Sequence, residues 1–297
     1  MSNIAVFGLG SMGYGIAQSV LLAGHSTWGF DVVAAQVERF KSIGGQSGTA
    51  IGVVPNLDIA VIVVLNAEQT EDVLFGDAGI VRSMKAGATV ISCATVPPDF
   101  ARDMAARAVA HGIHYLDAPI SGGSVKAAQG ALSVMASGTT EAFSGARPAL
   151  EAMAETVFEL GDTPGTGSAM KSVNQLLAGV HIATMAEAMT FGISQGVTPE
   201  QFVDVISKCA GTSWMLENRA PHIVDGDYTP HSAVNIWLKD LGIVQDIAGK
   251  AGCATPITES ALAQFNQAAD AGLGREDDAA VVKVYAKKAG ISLPGDD

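Results

Sequence analysis

Lys171 is followed by two side-chain amides, Asn174 and Gln175, one helical turn further along the chain. At spacings of three and four residues, all three side chains can share one face of a helix. A positioned amine can exchange a proton with an alcohol or carbonyl oxygen, and an amide can hold the same oxygen. The alternative is an ordinary surface lysine. We favour a proton-transfer site for chemistry between an alcohol and a carbonyl.

A second candidate site is the glycine-rich segment Gly8-Leu9-Gly10-Ser11-Met12-Gly13. Its spacing fits G-x-G-x-x-G, in which the first glycine makes a tight turn, the second lets a pyrophosphate approach, and the third lets a helix pack on a strand. A strand pattern precedes the segment and a helical pattern follows it, which favours a dinucleotide site over an ordinary turn. The residues expected to bind the cofactor here are Gly8, Gly10, Ser11, Met12 and Gly13.

Asp31 ends the next predicted strand, about 20 residues beyond the glycines. An acidic side chain there accepts hydrogen bonds from the ribose hydroxyls and repels the 2′-phosphate of NADP. Val32 and Val33, which follow it, offer no cation for that phosphate. The alternative is a strand-ending aspartate in a simple turn. The sequence therefore predicts NAD as the cofactor.

The segment 117–127, DAPISGGSVKA, follows another predicted strand. It should lie at the carboxyl edge of a parallel sheet, where ligand sites of such folds form. Ser121, Gly122 and Gly123 could direct backbone N–H groups towards a substrate carboxylate. A strand-to-helix turn with serine as N-cap is the alternative. A further segment, residues 237–246, mixes charged and apolar residues and by itself indicates only an amphipathic helix.

Short strands alternate with helical segments through the first half of the chain. The predicted strands are Ile4–Phe7, Thr27–Phe30, Ile59–Leu65, Thr89–Cys93, His114–Leu116, Leu132–Ala136 and Val157–Leu160. Helices are predicted at 11–22, 98–111 and 141–154. This alternation, with fully apolar strands, predicts a doubly wound parallel sheet of the Rossmann type with helices on both faces.

The pattern changes at the Gly/Pro cluster of residues 161–167, after which almost everything is helical. The predicted helices are 168–195, 199–209, 213–224, 233–251 and 257–271. The fold class is therefore α/β, with the Rossmann sheet followed by an all-α C-terminal domain that a long interdomain helix joins to it. We place an NAD-binding domain at residues 1–164 and a helical substrate-binding and dimerisation domain at residues 165–297.

Composition narrows the function classes. The formal net charge of −13 argues against nucleic acid as a partner. Three cysteines without a C-x-x-C pair and the lack of a secretory signal favour a cytoplasmic protein. The apolar stretch 176–193 contains His181 and Glu187, so it is expected to be a buried helix and no membrane partner is predicted. The histidines lack metal-ligand spacing, and no metal is expected.

In this order, the four segments resemble the β-hydroxyacid dehydrogenase family, which includes 3-hydroxyisobutyrate dehydrogenase and tartronate semialdehyde reductase. The resemblance covers essentially the whole chain. It implies that Lys171 is the catalytic acid/base, that Ser121, Gly122 and Gly123 bind a substrate carboxylate, and that Asn174 or Gln175 orients the substrate. It also places Lys239 beside the nicotinamide and Leu65, Asn66 and Thr95 in the cofactor cleft. Homodimers or homotetramers are implied as well.

Several later segments are similar to the L-threonate dehydrogenase subgroup, among them residues 213–219, 224–230 and 274–283. The subgroup resemblance implies NAD-dependent oxidation of the C2 hydroxyl of a four-carbon sugar acid, with Trp214 at the substrate. We also expect Asn218 and Arg219 to be able to reach a hydroxylated substrate. Two alternatives stay open: a 3-hydroxyisobutyrate or tartronate semialdehyde enzyme, and a catalytically silent NAD-binding sensor.

Overall fold

The computed structural model describes residues 1–46 and 48–295. Five strands form a parallel sheet in the order β2-β1-β3-β4-β5. Their bounds are β1 Asn3–Phe7, β2 Ser26–Phe30, β3 Ile59–Ile62, β4 Thr89–Ser92 and β5 His114–Asp117. β3, predicted to reach Leu65, ends three residues earlier because its partner β1 ends at Phe7, opposite Ile62.

A separate three-stranded sheet has the order β6-β7-β8, with strands Ile120–Ser121, Leu132–Ala136 and Ala154–Glu159. The prediction of one parallel sheet is wrong here, because β6 runs antiparallel to β7. Only Ala118 and Pro119 separate β5 from β6. A parallel neighbour needs a crossover of about a dozen residues or more, so a strand that follows this closely cannot join the first sheet as a parallel strand beside β5.

Seven helices accompany these sheets within the described residues. They are α1 Gly13–Leu22, α2 Ala34–Ser42, α3 Ala50–Val53, α4 Ala67–Phe75, α5 Pro98–Ala110, α6 Gly123–Ala128 and α7 Thr140–Met153. Helices pack on both faces of the parallel sheet, and its inner strands β3 and β4 are buried at every residue. Parallel strands put their carboxyl ends at one edge, so the loops that follow β1 to β5 gather there.

The helical part begins with α8 Thr166–Ser194 and continues with five further helices. These are α9 Pro199–Ile206, α10 Trp214–Asp225, α11 Val234–Ala251, α12 Pro256–Ala268 and α13 Val282–Ala289. α12 was predicted to reach residue 271, but regular helix ends at Ala268 and a wider turn with Gly272 at φ +87° follows. The fold class, an α/β Rossmann-like part followed by a helical part, is confirmed.

The chain divides into two compact units, Met1–Lys171 and Ser172–Asp297, and the division falls within α8. The first unit has its core around the parallel sheet, with Ile4, Val6 and Ile91 fully buried. The second has its own core, in which Trp237 of α11 stacks on Phe265 of α12. Each unit therefore buries enough apolar surface to be compact in its own right.

One described helix, α8, is long and apolar enough to cross a membrane by length and composition alone. Of its most apolar window, 39% is buried inside the protein. Its buried residues include Ile182, Met185 and Met189, which belong to the core of the second unit. Core helices of soluble proteins share this length and hydropathy, so the helix is weak evidence for a membrane span.

Candidate active site

The glycine turn after β1 has the geometry that a dinucleotide site requires. Gly8 adopts φ +94°, and a Cβ at this residue would lie 2.2 Å from the carbonyl oxygen of Val63. A Cβ on Gly13 would lie 1.8 Å from the carbonyl oxygen of Gly8, so α1 can approach the turn only without a side chain there. At Gly10 a Cβ would meet no atom within 4 Å. The space in front of Gly10 is thus open to a ligand group.

Asp31 lies directly beside this turn. One carboxylate oxygen accepts a 2.6 Å hydrogen bond from the backbone N–H of Leu9, and the other accepts a 2.7 Å bond from that of Val33. Each oxygen has a second lone pair that can accept a ribose hydroxyl. The side chain therefore fixes the glycine turn and can also receive a ligand, whereas Val32 is fully exposed.

The loops after β3 and β4 place three of the other predicted cofactor residues, Leu65, Asn66 and Thr95, at the same sheet edge. Asn66 caps α4, with its side chain accepting from the backbone N–H of Gln69 at 2.9 Å. Leu65 is largely exposed, and its backbone N–H donates to the side-chain oxygen of Gln69. Thr95 is half-buried in the loop that follows β4.

A cavity of about 330 Å³ lies beside the glycine turn, and Gly10, Ser11 and Ser124 are among the residues that line it. Arg39 of α2 also lines it, with its guanidinium 3.9 Å from the ring centroid of Tyr14. The two residues directly after Asp31, Val32 and Val33, carry no cation, so the local sequence does not reveal Arg39. The signal that could have found Arg39 is its position on α2, the helix that directly follows Asp31.

These residues fit a bound dinucleotide. Gly10 leaves room for a pyrophosphate, the first turn of α1 supplies N–H groups that the helix itself does not use, and Asp31 offers carboxylate oxygens. The cofactor would be held by the glycine turn and by the loops after β2, β3 and β4. Within the described residues, no group of three or more His, Cys, Asp or Glu side chains is placed to hold a metal ion.

Asp117 connects the end of β5 to the first turn of α8 within the first unit. Asp117, at the end of β5, is only 1% exposed. It accepts hydrogen bonds from the N–H of Gly165 at 2.9 Å, the N–H of Ser168 at 2.8 Å, the hydroxyl of Ser168 at 2.6 Å and the hydroxyl of Ser137 at 3.3 Å. Burial raises the pKa of this carboxyl despite these donors. Asp117 thereby binds the first turn of α8, and sequence reasoning did not assign it a role.

Lys171 lies in the second turn of α8 and is 8% exposed. Its Nζ donates a 2.8 Å hydrogen bond to the carbonyl oxygen of Ile120. Ile120 directly precedes Ser121, Gly122 and Gly123, so the amine lies next to the segment predicted to bind a carboxylate. A buried amine at this place is not an ordinary surface lysine, and that alternative is wrong.

The serine N-cap alternative at this segment is also wrong. α6 begins after Gly122, which has φ +136° and makes no side-chain cap, while Ser121 pairs with Ser133 across the second sheet. The serine belongs to an antiparallel strand pair and is half-buried.

The two amides after the lysine belong to the second unit and differ in their surroundings. Gln175 is 7% exposed and its Nε2 donates to Oδ2 of the buried Asp240 at 2.5 Å. Asn174 is half-buried and its Nδ2 donates to Oε1 of Gln175 at 2.9 Å. Lys239, on α11, has its Nζ 2.8 Å from the other carboxylate oxygen of Asp240. Asp240 was not among the predicted site residues.

Trp214 and Arg219 on α10 were both considered for the substrate. Trp214 is exposed at the first position of the helix. Arg219 is buried, its Nε donates to Asp278 at 2.6 Å, and its guanidinium also contacts Asn218. The structure gives the guanidinium of Arg219 an internal carboxylate partner in Asp278, as a buried cation requires, so Arg219 is paired within the second unit.

The structure brings the glycine turn, Asp31, the 65–66 and 95 loops and the 117–123 segment to one edge of the parallel sheet in the first unit. Lys171 joins them through Ile120. Asn174, Gln175, Lys239 and Trp214 lie in the second unit. Within the second unit, the two amides are connected to the Lys239–Asp240 ion pair, a link that the sequence pattern alone does not reveal.

Comparisons with known proteins agree over the whole chain. Residues 3–161 match the family described as the NAD binding domain of 6-phosphogluconate dehydrogenase, and residues 165–285 match the one described as NAD-binding of NADP-dependent 3-hydroxyisobutyrate dehydrogenase. An L-threonate dehydrogenase of Cupriavidus necator is 47% identical, over 99% of this chain and 98% of the relative. An L-threonate dehydrogenase of Escherichia coli K12 is 45% identical, over 99% and 97%. The crystal structure of a 3-hydroxyisobutyrate dehydrogenase from Salmonella typhimurium is 45% identical with a TM-score of 0.90, over 95% of this chain and 99% of its own.

Proposed function

We propose a reaction for this chain from the premise that it belongs to the β-hydroxyacid dehydrogenase family and is an NAD(P)-dependent oxidoreductase. The reaction is oxidation of the alcohol of a small hydroxy acid, with L-threonate as the substrate and its C2 hydroxyl as the group oxidised. The observation that carries the proposal is the buried amine of Lys171, 2.8 Å from the carbonyl oxygen of Ile120 and next to the 121–123 segment.

The proposed chemistry divides between the cofactor and the chain. Bound NAD supplies the hydride acceptor. Lys171, as the neutral amine, takes the hydroxyl proton, the O–H electron pair forms the C2 carbonyl, and the C2 hydrogen departs with its bonding pair to that acceptor. The hydroxyl of Ser121 and the backbone N–H groups of Gly122 and Gly123 hold the carboxylate, which keeps the substrate hydroxyl within reach of the amine. In reverse, the ammonium protonates the alkoxide.

Relatives of similar sequence identity carry the names of different substrates. The curated relatives support L-threonate, whereas the Salmonella structure carries the name of a 3-hydroxyisobutyrate enzyme, and tartronate semialdehyde reduction is a third candidate. A polar pocket rejects substrates that lack a hydroxyl, because its buried groups are then unpaired. With Arg219 engaged by Asp278 and Gln175 by Asp240, the groups proposed for a sugar acid are Asn174 and Lys239, of which Asn174 is the accessible amide.

The cofactor preference is a proposal of the same kind. Asp31 favours NAD by placing negative charge beside the glycine turn, and Arg39 lines the neighbouring cavity as the competing cation. Because Arg39 stacks on Tyr14, its guanidinium is held by α1. We therefore propose NAD as the preferred cofactor, with residues 1–164 as the NAD-binding domain and the carboxylate of Asp31 as the determinant.

Residues 165–297 are proposed as the domain for substrate binding and for assembly into a homodimer or homotetramer. Val173, Leu177 and Phe191 of α8 are exposed apolar side chains, and a second copy of the chain would remove them from water. A cytoplasmic location is proposed because all three cysteines are free in the structure. A silent NAD-binding sensor is the rival proposal, and the buried Lys171 argues against it.

The experiment is NADH formation at 340 nm with a panel of hydroxy acids, each tested with NAD and with NADP. L-threonate, 3-hydroxyisobutyrate and glycerate are the substrates to compare. We expect the highest kcat/KM with L-threonate and NAD. If only another hydroxy acid is turned over, that acid replaces L-threonate as the proposed substrate. Binding of NAD without turnover of any acid would favour the sensor.

A further inference from the structure

We infer that Asp240 is a positioning residue, which acts through Gln175 to fix the direction in which the amide of Asn174 faces the substrate. The inference rests on the proposed function, because it assigns a role in the recognition of the hydroxy acid. It also decides which amide after Lys171 contacts the substrate. Asn174 is that residue, and Gln175 connects it to the carboxylate.

Asn174, Gln175 and Asp240 form a series of polar contacts within the second unit. Nδ2 of Asn174 donates to Oε1 of Gln175 at 2.9 Å, and Nε2 of Gln175 donates to Oδ2 of Asp240 at 2.5 Å. Gln175 and Asp240 are buried, with 7% and 2% of their surface exposed, whereas Asn174 is half-buried. Asn174 is therefore the most exposed of the three side chains, and Gln175 and Asp240 are buried.

The direction of this chain follows from what each group can donate. An ionised carboxylate only accepts hydrogen bonds, so Gln175 must present its NH₂ group to Asp240. Its Oε1 is then at the opposite end of the amide and must accept, which requires the NH₂ group of Asn174. The carbonyl oxygen of Asn174 consequently points away from Gln175. Asp240 thus determines the orientation of an amide that it does not touch.

Lys239 makes this direction testable. Its Nζ lies 2.8 Å from Oδ1 of Asp240, the oxygen that does not bind Gln175. In the variant Asp240→Asn, the ammonium keeps the amide oxygen on its side and puts the new NH₂ group opposite Gln175. Gln175 must then turn its oxygen to that NH₂ group, and Asn174 must turn its oxygen to Gln175. The substitution keeps the shape of the side chain and inverts the orientation of Asn174.

A second substitution restores the direction. In the double variant Gln175→Glu with Asp240→Asn, the new NH₂ group at position 240 donates to the carboxylate at position 175. That carboxylate accepts from Nδ2 of Asn174, as Gln175 does in the wild type. The total charge is unchanged. A merely structural role for the buried pair predicts no such recovery, because the double variant carries two changes in the core.

The test is steady-state kinetics of the full chain with L-threonate and NAD. For Asp240→Asn we expect kcat/KM for L-threonate to fall about 10- to 100-fold, the effect of one lost hydrogen bond and one misdirected donor, while the KM for NAD is unchanged. The double variant should recover to within about threefold of the wild type. Asp246→Asn is the matched control, because Asp246 is exposed on the same helix and its loss should leave both constants unchanged.

An NMR measurement without turnover completes the test. In protein with ¹⁵N-labelled glutamine, the side-chain N–H of Gln175 that donates to Asp240 should resonate downfield and shift upfield in Asp240→Asn. Unchanged kinetics in Asp240→Asn, or a folded double variant without recovery, would overturn the inference. If the wild type oxidises no hydroxy acid but the NMR shift is present and moves, the proposed function fails while the directed contact stands.

Discussion

Replacing Asp117 in two ways separates its hydrogen bonds from its charge. In Asp117→Ala the backbone N–H groups of Gly165 and Ser168 lose their acceptor inside the protein. In Asp117→Asn the amide oxygen can take the place of Oδ2 and keep both bonds. The new NH₂ group then faces the hydroxyl of Ser168, which can rotate to accept.

The expected magnitudes follow from this count. Each buried donor left without an acceptor costs about 1 to 3 kcal/mol, so the two lost acceptors in Asp117→Ala should cost about 2 to 6 kcal/mol of unfolding free energy. For a unit of this size that corresponds to a fall in Tm of about 10 °C. Asp117→Asn should lose about 1 kcal/mol or less, because its hydrogen bonds survive and no charge is buried.

The pH dependence has a defined sign. Burial raises the pKa of Asp117 in the folded chain, so the folded state binds its proton more tightly than the unfolded state does. The stability from this group is complete below about pH 4, the unfolded pKa, and is lost as the pH rises through the raised folded pKa. Asn at position 117 cannot ionise, so the Tm of Asp117→Asn should increase relative to that of the wild type as the pH rises.

The assay is thermal unfolding followed by circular dichroism between pH 4 and 8, together with kcat. Because Asp117 binds the first turn of the helix that carries Lys171, the Ala variant should also lose turnover in the fraction that stays folded. A Tm for Asp117→Ala within about 2 °C of the wild type, which corresponds to a loss of only about 0.5 to 1 kcal/mol, would refute the reasoning. So would equal destabilisation by Asn and Ala.

Three other predictions concern the turn, a buried ion pair and a thiol. Gly10→Ala should keep the wild-type Tm and weaken NAD binding measured by calorimetry. Gly13→Ala should unfold at a lower temperature, because its Cβ would lie 1.8 Å from a carbonyl oxygen. Wild-type NAD affinity in Gly10→Ala would contradict the role given to the open space at Gly10. Arg219→Met should cost about 3 to 5 kcal/mol in urea unfolding by leaving Asp278 buried and unpaired, and adding Asp278→Asn should recover most of the loss. Burial raises the pKa of the Cys93 thiol to about 12, so iodoacetamide at pH 8 should alkylate the two exposed cysteines and reach Cys93 only after unfolding.

Local features of the sequence carried most of the fold. The glycine turn, the apolar strands and the helical second half depend on residues close together in the chain, and they are confirmed. The antiparallel β6 was missed because two residues have too little pattern to announce a strand. The end of β3 was also misplaced, since Val63 to Leu65 stay apolar beyond the last residue that has a partner on β1.

The candidate site was less accessible to such reasoning. Asp117 binds residues 48 and 51 positions further along the chain, and Gln175 binds Asp240 across 65 positions. No local pattern specifies pairs at these separations. Arg219 illustrates the same difficulty, since its sequence context indicates an available cation and only the fold reveals Asp278 beside it. Which buried polar groups pair is a property of the packed chain.

The most direct test of the account is the turnover of Lys171→Ala with L-threonate and NAD, measured beside the wild type. The buried amine next to the 121–123 segment is the group assigned to proton transfer. We predict that kcat falls about 10²- to 10⁴-fold, the usual contribution of a positioned acid or base, while the Kd for NAD is retained. Near wild-type turnover in this variant would contradict the assignment of Lys171 and the mechanism built on it.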